Sequence, residues 1–131
     1  MGGAHDSRSL DNSAIRQAAT TGCLRVTDAI DDARIDRRQT IDAGNAAIAN
    51  LVATVEAVGA ATLDDDPPAS DWLNDWRRLA EARTVFADNL ADAETEWFVA
   101  PETDDGYPIV ERMVEVAPTE CERAVQLAAA P

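Results

Sequence analysis

No proline interrupts the chain between Ser13 and Leu63, and across that stretch the apolar side chains recur at helical spacing. Ile15, Ala19, Cys23, Val26, Ile30 and Ala33 step by four and three. The beat resumes at Ile41, Asn45, Ile48, Val52, Val55, Gly59 and Thr62, widened by Leu51 and Val58. Residues three and four apart share one helix face, so this heptad-like series predicts a helix over 13–63, about 75 Å long if unbroken. Asp11, Asn12 or Ser13 can cap its start. Asp36-Arg37-Arg38-Gln39-Thr40 is its polar middle, a place for exposure or a kink.

Asp64-Asp65-Asp66-Pro67-Pro68 stops that helix, because proline cannot continue it and carboxylates oppose the dipole at a helix C-terminus. Ser70 is the expected cap of a second helix over 70–98. Along it Trp72, Trp76, Leu79, Arg83, Phe86, Leu90, Ala93 and Trp97 alternate steps of four and three, with only Arg83 breaking the apolar character. Two helices joined by a short proline turn make an antiparallel hairpin. Residues 101–108 read as loop. Ile109 to Val116 reads either as a short helix or as an extended strap. Thr119 can cap a last short helix with Cys121 in its first turn. The expectation is an all-α fold: a long antiparallel hairpin with a C-terminal strap and short helix (99–131), forming one domain over 13–131. Residues 1–12 read as a flexible leader or appended arm.

Cys23 and Cys121 are the only cysteines. In such a hairpin Cys23 lies ~60 Å from the turn and the returning helix covers ~42 Å, leaving a shortfall of ~18 Å that the segment from Val99 to Cys121 spans easily. The strap therefore brings Cys121 level with Cys23. Bonded, the pair would stabilise the fold by ~4.7 kcal/mol in the loop-entropy picture and would assign the chain to an oxidising, extracytoplasmic compartment. The alternative is two unrelated buried thiols. No apolar run reaches the ~20 residues a bilayer crossing needs, and residues 1–10 hold no hydrophobic signal segment. Membrane association is thus expected only through an anchor that these residues do not contain.

Charge narrows the partners. Twenty-five acidic residues face eleven basic ones, all arginine, for a net charge of -14. Such a surface repels phosphate backbones and anionic membranes, so no nucleic-acid partner is expected. GC-rich coding or adaptation to high salt would each produce this lysine-free, acidic composition.

Few residues offer chemistry. The single histidine, His5, falls in the expected leader, so no Ser-His-Asp or Cys-His arrangement can be assembled around the domain. Glu120 and Glu122 oppose thiolate formation at Cys121. No glycine-rich phosphate loop occurs. Asp64-Asp65-Asp66 and Asp104-Asp105-Gly106 gather oxygen ligands, but neither has the alternating spacing of a calcium-binding loop. Catalytic residues, cofactors and a specific metal site are therefore not expected. The tryptophans, at seam spacing, read as core before interface. The width of the apolar stripe, with Leu73 and Val85 off it, points to cover by the strap, a second copy of the chain or a protein partner.

Gly22-Cys23-Leu24-Arg25 on a long helix, with Ala117-Pro118-Thr119-Glu120-Cys121 near the end, resembles the external domain of small single-pass membrane proteins of actinobacteria and their phages. The likeness covers most of the chain in layout and rests on those residues. It implies an envelope location, with a transmembrane helix ahead of the first cysteine that this chain lacks, and more a place of action than an activity. Tyr107-Pro108-Ile109-Val110-Glu111 is similar to the Tyr-x-x-x-Glu secretion signal of type VII substrates, although Pro67-Pro68 to Trp72 stands where their Trp-x-Gly would be. The functional expectation is a non-enzymatic, exported or membrane-anchored domain acting by protein contact at the cell envelope. A type VII-like secreted hairpin and a cytoplasmic acidic halophile protein are the alternatives.

Overall fold

The computed structural model describes residues 9–33, 36–90, 98–103 and 105–131. The Asn12 side-chain oxygen accepts the N–H groups of Ala14 and Ile15 at 2.9 and 3.1 Å, satisfying donors that a helix start leaves open. Helix α1 (Ser13–Asp32) follows and buries Ile15, Ala19, Cys23, Val26 and Ile30, the face marked by the periodicity. It ends at Ala33. Asp36 then caps α2 (Arg37–Glu56) by accepting from Arg38 N, and the Thr40 hydroxyl donates to the carbonyls of Ala33 and Asp36.

Here the chain reverses. Gly22 of α1 lies against Leu51 of α2, and Gly44 of α2 against Ile30 of α1, pairings that only an antiparallel return produces. The helix expected over 13–63 is therefore three helices: α1, α2 and the short α3 (Ala60–Asp64). The physical reason is burial. A single straight helix would leave half of its stripe in water, whereas folding at Asp36 sets the two halves against each other. Gly59, with φ +103°, separates α2 from α3 in a backbone conformation suited to glycine.

Helix α4 (Pro68–Asp88) begins two residues before Ser70, which is not its cap. Pro68 fits the first helical position because its fixed φ is already helical and its missing N–H would have had no partner there. The helix ends at Asp88; Ala93 and Trp97 of the expected stripe lie outside the described residues. It packs on α2, with Asn45 Nδ2 donating to Thr84 Oγ1 at 2.9 Å. Ile109 to Val116 is helical (α5) and packs on α4, while α6 (Cys121–Ala128) lies along α1. Thr119 does not cap α6 through its side chain; the Pro118 and Thr119 carbonyls accept from the N–H groups of Cys121 and Glu122.

The fold is the all-α hairpin architecture with a C-terminal return, and Cys23 is bonded to Cys121. Their Cα atoms are 5.0 Å apart and both residues are fully buried. Such a bond belongs to an oxidising, extracytoplasmic setting. Among the described residues no helix is long and apolar enough to cross a membrane. One main core takes fully buried residues from every described helix except the short α3, whose Leu63 packs against its edge. Trp72 and Trp76 meet edge to face within it at 6.0 Å. Each buries on the order of 200 Å², worth roughly 5 kcal/mol as an upper bound. Among the described residues Trp76 Nε1 has no hydrogen-bond partner, which costs about 1–3 kcal/mol.

Residues 10–12, assigned above to the flexible arm, are docked. Leu10 is buried and its N–H donates to Val116 O at 2.9 Å. The backbone N–H groups of Asp11 and Asn12 donate to Asp66 Oδ2 at 2.8 and 3.0 Å. Asp66, the last of the three aspartates, is thereby buried and serves the start of α1 rather than facing solvent with its neighbours.

Candidate functional site

A cleft of about 600 Å³ opens between the start of α4 and α5, lined by Pro67, Pro68, Asp71, Trp72, Asp75, Tyr107, Arg112, Glu115 and Val116. Helical spacing accounts for most of that set. Pro68, Asp71, Trp72 and Asp75 fall at steps of three and four along α4, as do Arg112, Glu115 and Val116 along α5. The floor is tied by the buried Trp72 indole, whose Nε1 donates to Met113 O at 3.0 Å.

Tyr107 is delivered by a tight loop. Thr103 N donates to Tyr107 O at 2.8 Å, Gly106 N donates to Thr103 O at 2.9 Å, and Gly106 turns the chain with φ +82°. Arg78 anchors the loop to α4 by donating to Glu102 O at 2.7 Å. The Tyr107 hydroxyl then donates to Glu115 Oε1 at 3.0 Å. Tyr107 stays 42% exposed at the cleft wall.

Asp75 is the charged residue at depth, only 1% exposed. Arg112 grips it with two parallel bonds, Nε to Oδ2 at 2.9 Å and an Nη2 bond to Oδ1 at 2.7 Å. This bidentate geometry is the strong form of a carboxylate–guanidinium pair. The hydrogen bond to Asp75 raises the Arg112 pKa above its ordinary value, with further help from the charges of Asp75, Asp71 and Tyr107 against partial burial. Asp71 and Glu115 sit at exposed positions around this pair.

A second buried charge lies away from the cleft. Arg83 is 1% exposed and donates to Asn45 Oδ1 at 2.8 Å, Ala128 O at 2.8 Å and Ile41 O at 3.1 Å. Burial lowers its pKa to about 10. Ala128 is the last residue of α6, so the guanidinium meets the negative end of that helix and clasps α2, α4 and α6 together. Gly44 is the residue that makes room, since a Cβ there would stand 2.4 Å from the guanidinium.

The predicted residues separate cleanly. Cys23 and Cys121 form their bond within the core. Tyr107 reaches the cleft, but its hydroxyl pairs with Glu115 on the next helical turn, while Glu111 is exposed outside the cleft lining. Trp72 and Trp76 are core, as is Leu73, whereas Val85 is 55% exposed. Leu51 is covered by α1, so the chain itself accounts for much of the stripe width that suggested a second copy. His5 and Asp104 lie outside the described residues, and among the described residues no three His, Cys, Asp or Glu side chains converge as a metal site. The Asp75–Arg112 pair was missed. Its one signal was Asp75 falling beside Trp72 and Trp76 on the buried side of the helical beat. Among the described residues, the cleft lining has neither a thiol, a serine nor an imidazole and presents carboxylates, one guanidinium and aromatic and proline rings. Comparison with protein-family models, characterised proteins and solved structures finds no match to this chain.

Proposed function

We propose that this chain is a non-catalytic, exported or membrane-anchored helical domain that acts by protein contact at the cell envelope. The observation that carries the reading is the fully buried Cys23–Cys121 bond, which closes nearly the whole fold. Reducing compartments keep such thiols apart, so a domain that depends on this bond works outside the cytoplasm. The layout that resembles external domains of small actinobacterial and phage membrane proteins agrees with that address, and a phage-linked role belongs to the same class. The cleft adds a surface where a partner can be gripped, bounded by Tyr107, two prolines and fixed charges. The bond also weighs against a cytoplasmic halophile protein.

A second reading, a type VII-like secreted hairpin, draws on Tyr107 and Glu111, which both lie on the surface. The two readings differ in what export requires. Thiol alkylation of acid-quenched cells of the native host, followed by mass measurement, is the test of the first. The expected result is no alkylation until reductant is added, in a fraction that external protease can reach. Two alkylated thiols inside the cytoplasm would overturn it. Export that survives loss of both cysteines but stops with Tyr107→Ala and Glu111→Ala would establish the second.

A further inference from the structure

We propose that residues 10–12 form a latch that sets the width of the cleft between α4 and α5, whatever the cleft binds. Bonds across the cleft fall in a register. Asp75 meets Arg112, the Trp72 indole meets the Met113 carbonyl, and a third rung joins Asp66 to Val116. As the residue number falls from α4 back into the turn before it, the number on α5 rises, the order of two antiparallel walls. The first two rungs are direct. The third runs through the strap: Leu10 N donates to Val116 O at 2.9 Å, and the N–H groups of Asp11 and Asn12 donate to Asp66 Oδ2 at 2.8 and 3.0 Å.

Both anchors belong to the walls. Asp66 directly precedes Pro67 and Pro68, which line the cleft, and its carbonyl accepts from Ala69 N at 2.9 Å in the first turn of α4. Val116 ends α5 and lines the opposite side. Leu10 sets its side chain in the main core, while Arg16 Nη1 holds its carbonyl at 2.9 Å. This rung is separable, because three residues ahead of α1 can lift without unwinding either wall helix. Lifting them strips the buried Asp66 carboxylate of two donors, and that cost is relieved only when water enters between Pro68 and Val116. The start of α4 then parts from the end of α5, and the load falls on the Trp72–Met113 rung. An occupant that fits the braced width tightens the strap, and one that needs more room displaces it.

The test is native-state hydrogen exchange on the intact, oxidised chain, read by NMR at urea concentrations below unfolding. The probes are the Leu10, Asp11 and Asn12 amides and the Trp72 indole N–H. They are expected to open together, with one free energy and one urea dependence, both below those of global unfolding. Strap amides that open alone, with the indole exchanging only through global unfolding, would reduce residues 10–12 to a fraying end and overturn the latch. Opening of every probe only with the whole molecule would overturn it too. Asp66→Ala removes the shared acceptor and should speed indole exchange about tenfold beyond the change in global stability read from urea melts. Asp65→Ala takes the same charge from the exposed neighbour and should leave the indole at the parent rate. An indole rate unmoved by Asp66→Ala, or moved equally by both variants, sinks the coupling. If Asp66→Ala does not fold, the exchange pattern of the parent decides alone.

Discussion

Replacing both Cys23 and Cys121 by alanine tests how much of this fold depends on one covalent link. The two residues are separated by 98 positions, and releasing a closed loop of that size restores unfolded-chain entropy worth about 4.7 kcal/mol at 25 °C. Both residues are fully buried, so the smaller alanines leave a void that adds roughly another 1 kcal/mol. A compact unfolded ensemble works the other way and trims the entropic part. The expected net loss is about 4–5 kcal/mol. Against the roughly 7–20 kcal/mol ordinary for a chain of this length, that loss is a large share. Urea unfolding at neutral pH, followed by tryptophan fluorescence and by far-ultraviolet circular dichroism, reads it directly. The variant should unfold at lower urea with a steeper dependence, because its unfolded state exposes more surface. A loss below about 1 kcal/mol with unchanged steepness would refute the reasoning, since the fold would then be held by packing alone.

Three further perturbations probe noncovalent features of the same architecture. Gly22→Ala should cost about 2–3 kcal/mol in urea melts, because a Cβ there would stand 2.7–3.0 Å from Leu51 atoms that include its Cα, forcing α1 away from α2. Arg112→Met should cost about 3–5 kcal/mol by leaving Asp75 charged and buried, and Asp75→Asn in the same background should restore part of that loss; a double-mutant cycle reports the coupling. Arg83→Met should cost about 3 kcal/mol by stripping the Ala128 carbonyl and Asn45 of a buried donor. Its pH dependence has a definite sign. The folded pKa of Arg83, about 10, lies below its ordinary value, so between the two the unfolded chain binds more protons. The parent's stability relative to Arg83→Met should therefore be flat at neutral pH and rise above pH 10, as measured by melts in alkaline buffer.

Periodicity carried the sequence reading where neighbours along one helix decide the outcome, and it stopped where distant groups decide. The helical class, the Trp72–Trp76 seam and the burial of Ile15 through Ile30 all follow from a repeat of three and four, which the folded chain obeys. The reversal at Asp36 did not follow, because the same polar stretch suits a kink, an exposed middle or a cap. Only the burial of one stripe on the other chooses among them. Asp66 looked like part of a solvated acidic run, yet its oxygen takes two backbone N–H groups from residues more than 50 positions away. Asp75 and Arg112 likewise meet across two helices. The helical beat signals that Asp75 is buried but does not name its partner, since the repeat records which face is buried and not what lies opposite it.

The disulfide also determines how this chain would carry tension. Force applied between residue 1 and residue 131 would enter α1, cross the sulfur bridge at Cys23 and leave through α6. Everything of the fold between the two cysteines lies outside that path. Stretching could draw out only the short lengths before Cys23 and after Cys121, on the order of 100 Å of chain at ~3.4 Å per residue. Beyond that extension the molecule becomes a taut tether. The cleft on α4 and α5 falls within the shielded segment, and a partner held there would not feel the pull along the backbone.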